Sequence, residues 1–153
     1  MKFPIIVVLE NIRSAYNVGS FFRTCDGAGA GKLFLTGYTP YPPHSKIPKT
    51  ALGAIDNIDW EYVPKTADVI KRLKSEGVQV LGVEVKDNAK NYLDFEYKFP
   101  VAFIFGNEVN GVDEETLKLC DDIIIIPMHG DKSSLNVAVS GGIILYSAIG
   151  TIK

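Results

Sequence analysis

"FPIIVVLENIRSAYNVGSFFRTCDGAGAGKLFLTG", residues 3–37, is the stretch on which the fold turns. It opens with a continuous apolar run, residues 3–10, of the kind a strand shows when both faces of a parallel sheet are covered. From about Val18 to Ala28 apolar positions recur at helical spacing until Gly27, Gly29 and Gly31 stop them. A second short strand, residues 32–37, follows directly. The run "GAGAG" lies behind a helix and lacks the spacing of a dinucleotide fingerprint, so it reads as a helix stop and turn.

The same alternation continues outward. Residues 38–50 hold four prolines and no periodicity, which predicts a long functional loop. "IDWEYV" is compatible with a short strand, and residues 66–77 form an amphipathic helix with a glycine stop. Residues 78–85 and 100–106 read as buried strands, 113–120 as a short helix opening with acids, and 122–128 as the last strand. A helix from Ser134 to Gly150 closes the chain. Strands alternating with helices predict one α/β domain over 1–153, with a mainly parallel sheet flanked by helices.

Composition narrows the function classes. A net charge of −2 argues against a wholesale basic nucleic-acid binder, though not against local recognition of a polyanion. No apolar stretch has bilayer-spanning length and no secretory signal pattern opens the chain, so no membrane partner is expected. Cys25 and Cys120 lack metal spacing and read as reduced thiols of a cytoplasmic protein without a metal site. His44 and His129 have no paired ligand at a telling spacing and are expected in loops.

Parallel α/β sheets bind ligands beyond the carboxyl ends of their strands. Three segments there are unusually polar: "ENIRSAYNVGSFFRT" (10–24), "FGNEVNGV" (105–112) and "IPMHGDKSSLNVAVSGGIILY" (126–146). They bring Asn17, Arg23, Glu108, Ser134 and Asn136 to one edge. Each has a plain alternative. Asn17 could cap the first helix, Arg23 could be a solvated surface arginine and Glu108 an exposed loop acid. Ser133 or Ser134 could cap the last helix, with Asn136 in its first turn.

"NVGSFFRT", "FGNEVNGV" and "IPMHGDKSSLNVAVSGGIILY" resemble, in order and spacing, motifs one, two and three of the SpoU branch of the SPOUT methyltransferases, which methylate riboses of tRNA and rRNA. "KTALGA" (49–54) is similar to a further family segment. The resemblance implies a C-terminal trefoil knot, which no periodicity argument delivers. It also implies a homodimer, S-adenosyl-L-methionine as cofactor, and methyl transfer to a ribose 2′-hydroxyl of structured RNA; the minimal chain makes tRNA the expected substrate ahead of rRNA.

By resemblance, Arg23 is the activating residue, with Asn17, Glu108, Ser134 and Asn136 completing the catalytic set. Guanidinium is a poor general base. Either a substrate phosphate helps accept the proton, or Arg23 stabilises developing oxyanion charge. The cofactor pocket maps onto Glu84, Phe105, Gly106, Asn107, Gly111, Ile126, Pro127, Met128, Ser134, Leu135 and Asn136. Asn17, Arg23, Lys46, Lys49, Tyr41 and Lys132 are expected to meet RNA, with Tyr38 and Tyr41 ready to stack on an unpaired base. Gly141 and Gly142 each cost about 1 kcal/mol inside a helix. They are therefore expected where that helix lies against backbone; by resemblance that is in the knot or, preferentially, across the dimer interface, where the family's closing helix packs.

Two other readings compete. One is a non-catalytic RNA- or adenosyl-ligand-binding module of the same fold. The other is a flavodoxin-like nucleotide or redox domain, but "NIRSAYNVG" is not the phosphate loop such a domain needs after its first strand.

Overall fold

The opening apolar run forms β1 (Phe3–Glu10), an interior strand of a seven-stranded sheet, in a computed structural model that describes residues 2–152. The terminal residues of the expected 1–153 domain, Met1 and Lys153, lie outside that range. In chain order the elements are α1 (Ala15–Ala28), β2 (Ala30–Thr36), α2 (Ile47–Ala51), a 3-10 turn (Ala54–Asn57), β3 (Trp60–Val63) and α3 (Thr66–Ser75). They continue with β4 (Gln79–Val83), β5 (Lys90–Asn91), β6 (Val101–Phe105), α4 (Glu114–Leu119), β7 (Asp122–Ile125) and α5 (Val137–Ile149). The strands run β3-β2-β1-β6-β4-β7-β5, and every neighbouring pair is parallel.

The central strands are apolar on both faces because helices cover both. Val7 and Leu9 of β1 and Phe103 and Phe105 of β6 pack with residues of α1, α2 and α5. The alternate positions, Val8, Ala102 and Ile104, pack with α3 and α4. This is period-two alternation with an apolar partner on each side.

Several boundaries differ from the sequence reading. The first helix starts at Ala15, not Val18, because Ser14 caps it: its Oγ accepts the Asn17 N–H at 3.3 Å. The last strand ends at Ile125, before Pro127. The closing helix starts at Val137, after Asn136, whose Oδ1 accepts the N–H groups of Ala138 (2.9 Å) and Val139 (3.2 Å). The proline loop contains α2, laid across α1. The two-residue β5 carries no apolar signal and was not expected.

Buried Glu10 ends β1 and organises its neighbours. Its carboxylate accepts the Asp113 N–H (2.9 Å) and the Thr116 hydroxyl (2.5 Å), supplying from another strand the cap that α4 lacks.

Candidate active site

Because the strands are parallel, the loops after β1, β2, β4, β6 and β7 all leave the same edge. Three of them are sewn together. Thr39 Oγ1 accepts the Ile12 N–H at 3.0 Å, and Asn11 Oδ1 accepts the Tyr38 N–H at 3.1 Å. Asn107 Nδ2 donates to the Asn11 carbonyl (3.0 Å) and the Tyr38 hydroxyl (2.8 Å), while its Oδ1 accepts from Val109 and Asn110 at 2.9 Å each. Asn107 is thus the internal brace of the 106–111 loop. Its role shows in the sequence only as an asparagine in a turn.

Glu108 binds the start of α1. Oε1 accepts the Arg13 N–H (2.8 Å), and Oε2 accepts the Ser14 N–H and the Asn17 Nδ2 (2.9 Å each). Partial burial works to raise the carboxyl, but those bonds outweigh it and hold Glu108 below its usual value. Asn17 Oδ1 then faces Asn136 Nδ2 at 3.4 Å, a long contact. Both amide orientations follow from the network: Asn17 must donate to a carboxylate, and Asn136 spends its oxygen on the α5 cap. Glu108, Asn17 and Asn136 therefore form one polar string joining all three unusual segments.

Beside it lies a cleft between the exits of β4, β6 and β7. Val83, Val85, Phe105, Ile126, Met128, Leu135 and Val137 give it apolar walls; Glu84, Asn107, Glu108, Ser134 and Ser140 add polar groups. Gly106 is required there, since a Cβ would strike the backbone of Gly111 and Val112. Gly111 adopts φ 72° and leaves room for the Glu84 carboxylate. Of the residues expected around a cofactor, Glu84, Phe105, Gly106, Asn107, Gly111, Ile126, Met128, Ser134 and Leu135 line this cleft, whereas Pro127 and Asn136 do not. Val83, Val85, Val109, Val137 and Ser140 line it and were missed; the only signals were the end of β4 for Val83 and Val85, and proximity to the polar segments for Val109, Val137 and Ser140.

Arg23 stands elsewhere. Six residues beyond Asn17 is about 240° around a helix and about 9 Å along it. Arg23 is exposed and forms no ion pair among the described residues. The expectation that Asn17, Arg23, Glu108, Ser134 and Asn136 meet at one edge is corrected for Arg23: Glu108 and Asn17 bind each other and the α1 start, not its guanidinium. Arg23 lines a second groove with Ser20, Lys49, Thr50, Leu52, Gly142 and Tyr146, between α1, α2 and α5. Lys46 places its Nζ 6.0 Å from the Tyr16 ring centre, and Lys132 is exposed before α5. Tyr41 stacks on Tyr62 (centroids 4.2 Å, planes 28° apart), leaving its other face outward, and Tyr38 is 62% exposed.

Both cysteines are free, and burial pushes Cys25 and Cys120 up to about 12. Among the described residues no His, Cys, Asp and Glu cluster could hold a metal, and no helix is long and apolar enough to cross a membrane.

Comparison with known proteins places this edge in context. A tRNA (guanosine(18)-2′-O)-methyltransferase of Escherichia coli K12 is 33% identical over 148 residues, covering 94% of this chain and 62% of the relative. A 23S rRNA (guanosine-2′-O-)-methyltransferase of Ralstonia nicotianae is 31% identical, covering 95% and 58%. The AdoMet-bound rRNA methyltransferase from Sinorhizobium meliloti superposes with a TM-score of 0.91 at 29% identity, over 97% of this chain and 57% of that one. The chain thus spans about three fifths of the length of such relatives. The sequence profile of the SpoU rRNA Methylase family matches residues 4–146, a span holding all three polar segments, the cleft and the groove, and the chain belongs to that family.

Proposed function

We propose that this domain is an S-adenosyl-L-methionine-dependent RNA methyltransferase acting on a ribose 2′-hydroxyl, with tRNA preferred to rRNA, in the cytoplasm. The observation that carries the reading is the cleft. Its apolar walls suit a flat adenine, two glycines keep its floor open, and it opens beside the Glu108–Asn17–Asn136 string. Those features fit the cofactor, which when bound supplies an electrophilic methyl group on sulfonium. Glu84, Gly106, Gly111, Ile126, Met128, Ser134 and Leu135 would hold it.

The chain's own residues then have separable roles. Glu108 and Asn17 position the α1 start and Asn136. Arg23, a donor-only group, stabilises negative charge developing on the 2′-oxygen, and the proton leaves to a substrate phosphate or water. Arg23 lines a groove apart from its own cleft, so on this reading it serves the cleft of a second copy and the active unit is a homodimer. Its support is the groove around Arg23, where Leu52 (63%) and Tyr146 (56%) are exposed apolar side chains beside Gly142 of α5. The family's knot, formed from the C-terminal part of the chain, belongs to the same proposal. RNA would enter past Tyr38, Tyr41, Lys46, Lys49 and Lys132.

Transfer of labelled methyl from the cofactor to total tRNA and rRNA, followed by nucleotide mapping, tests the activity. Label on a ribose 2′-oxygen is the expected result. Label on a base would refute the reaction type, and cofactor binding without transfer would favour a binding module.

A further inference from the structure

We propose that Glu84 recognises the ribose of the adenosyl ligand, its carboxylate accepting both hydroxyls of the vicinal diol. The inference rests on the cleft being a cofactor site.

Two carboxylates line the cleft, and they are not equivalent. Glu108 accepts three hydrogen bonds from the start of α1, two of them on Oε2. Glu84 accepts two, one on each oxygen: Oε1 from the Val85 N–H at 3.0 Å and Oε2 from the Val112 N–H at 2.8 Å. A carboxylate offers about four acceptor positions, so each Glu84 oxygen keeps one open. A cis-diol presents two O–H donors on adjacent carbons, matching that pair of vacancies. The two backbone bonds already fix the carboxylate, so little further freedom is lost when the diol docks.

Placement agrees with this division. Glu84 leaves β4 between Val83 and Val85 and crosses to the turn at Gly111, so it sits with the apolar residues that suit adenosine. Ser134 and Ser140 enter the cleft from the segment around the start of α5 and are left for the amino-acid end of the ligand. An acid accepting ribose hydroxyls is the chemistry that dinucleotide-binding folds place at a strand end. Here the strand is β4, and the acid also braces the loop that covers the site.

Calorimetric titration of the full chain tests the assignment, using S-adenosylhomocysteine, 5′-methylthioadenosine, and the 2′-deoxy and 3′-deoxy forms of the latter. In the wild type, loss of either hydroxyl should weaken binding about tenfold. In Glu84→Ala all three nucleosides should bind with one common, weakened affinity, and Glu84→Gln should fall between. An equal penalty for hydroxyl loss in wild type and Glu84→Ala overturns the proposal. So does a wild type indifferent to hydroxyl loss, a comparison that needs no variant to fold. If Glu84→Ala weakens S-adenosylhomocysteine but not 5′-methylthioadenosine, the carboxylate serves the amino-acid end and the diol assignment is wrong. Failure of the wild type to bind S-adenosylhomocysteine at all would remove the cofactor reading, and this assignment with it.

Discussion

Glu108 shows how one carboxylate can organise several segments at once. Its carboxylate collects two backbone N–H groups and the Asn17 amide, fixing where α1 begins and which way Asn17 faces. Glu108→Gln keeps the shape but replaces one acceptor oxygen with a donor group that opposes those N–H groups. We expect a loss of about 1 kcal/mol at pH 7, the low end for charged bonds because solvent screens this partly exposed group. Titration adds a signature. Glu108 is held below its usual value of 4.5, so its contribution is complete above that pH and is lost as pH falls through the lower folded value. Urea midpoints should therefore differ between wild type and Glu108→Gln at pH 7 and converge as the pH is lowered below 4.5. A gap that stays constant with pH would show that the charge is not what Glu108 contributes.

At the scale of elements, the glycines separate two kinds of helix contact. Gly19 lies where α2 crosses α1: a Cβ there would strike Thr50 Oγ1 and the Ile47 carbonyl. Gly141 faces the Phe21 ring, so α5 packs on α1 within one chain, and its expected role at backbone contact is corrected to contact with an aromatic side chain. Gly142 meets nothing and opens onto the Arg23 groove. Gly141→Ala should cost about 1–3 kcal/mol through overpacking, which a helix-propensity gain of about 1 kcal/mol reduces to a net loss of about 0–2 kcal/mol. Gly142→Ala should keep that gain in the monomer. Thermal unfolding of dilute samples distinguishes them, and equal shifts would contradict the contact difference. The alternation of apolar runs and periodic helices made the parallel sheet legible, because burial on both faces writes itself into composition. The residues of the cleft were anticipated as well, but through the resemblance of the three polar segments to family motifs rather than through any periodicity. What was not legible depends on tertiary partners. Glu10 caps a helix from another strand, Asn136 rather than Ser134 caps α5, α2 forms inside a proline loop, and Arg23 points away from Asn17. No local pattern encodes those choices.

On the scale of the whole molecule, the cleft and the Arg23 groove are separate sites on one chain, yet the proposed chemistry needs both. A second copy reconciles them if each cleft receives Arg23 from its partner. Subunit complementation tests this directly. Arg23→Ala leaves the cleft intact, so it should bind cofactor normally and transfer no methyl. Leu135→Arg fills the cleft, so it should bind no cofactor while keeping its Arg23. If Arg23 acts across the interface, a mixed dimer holds one complete site: the cleft of the first variant with the arginine of the second. Random re-pairing of equal amounts, by mild denaturation and refolding together, makes about half of the dimers mixed, each with one of its two sites complete. The mixture should then recover roughly a quarter of wild-type transfer from two inactive proteins. If Arg23 acts within its own chain, neither site of a mixed dimer is complete, and the mixture stays inactive even when mixed dimers are shown to form. That silence would require α1 to move until Arg23 meets its own cleft, against the bonds by which Glu108 holds the helix start.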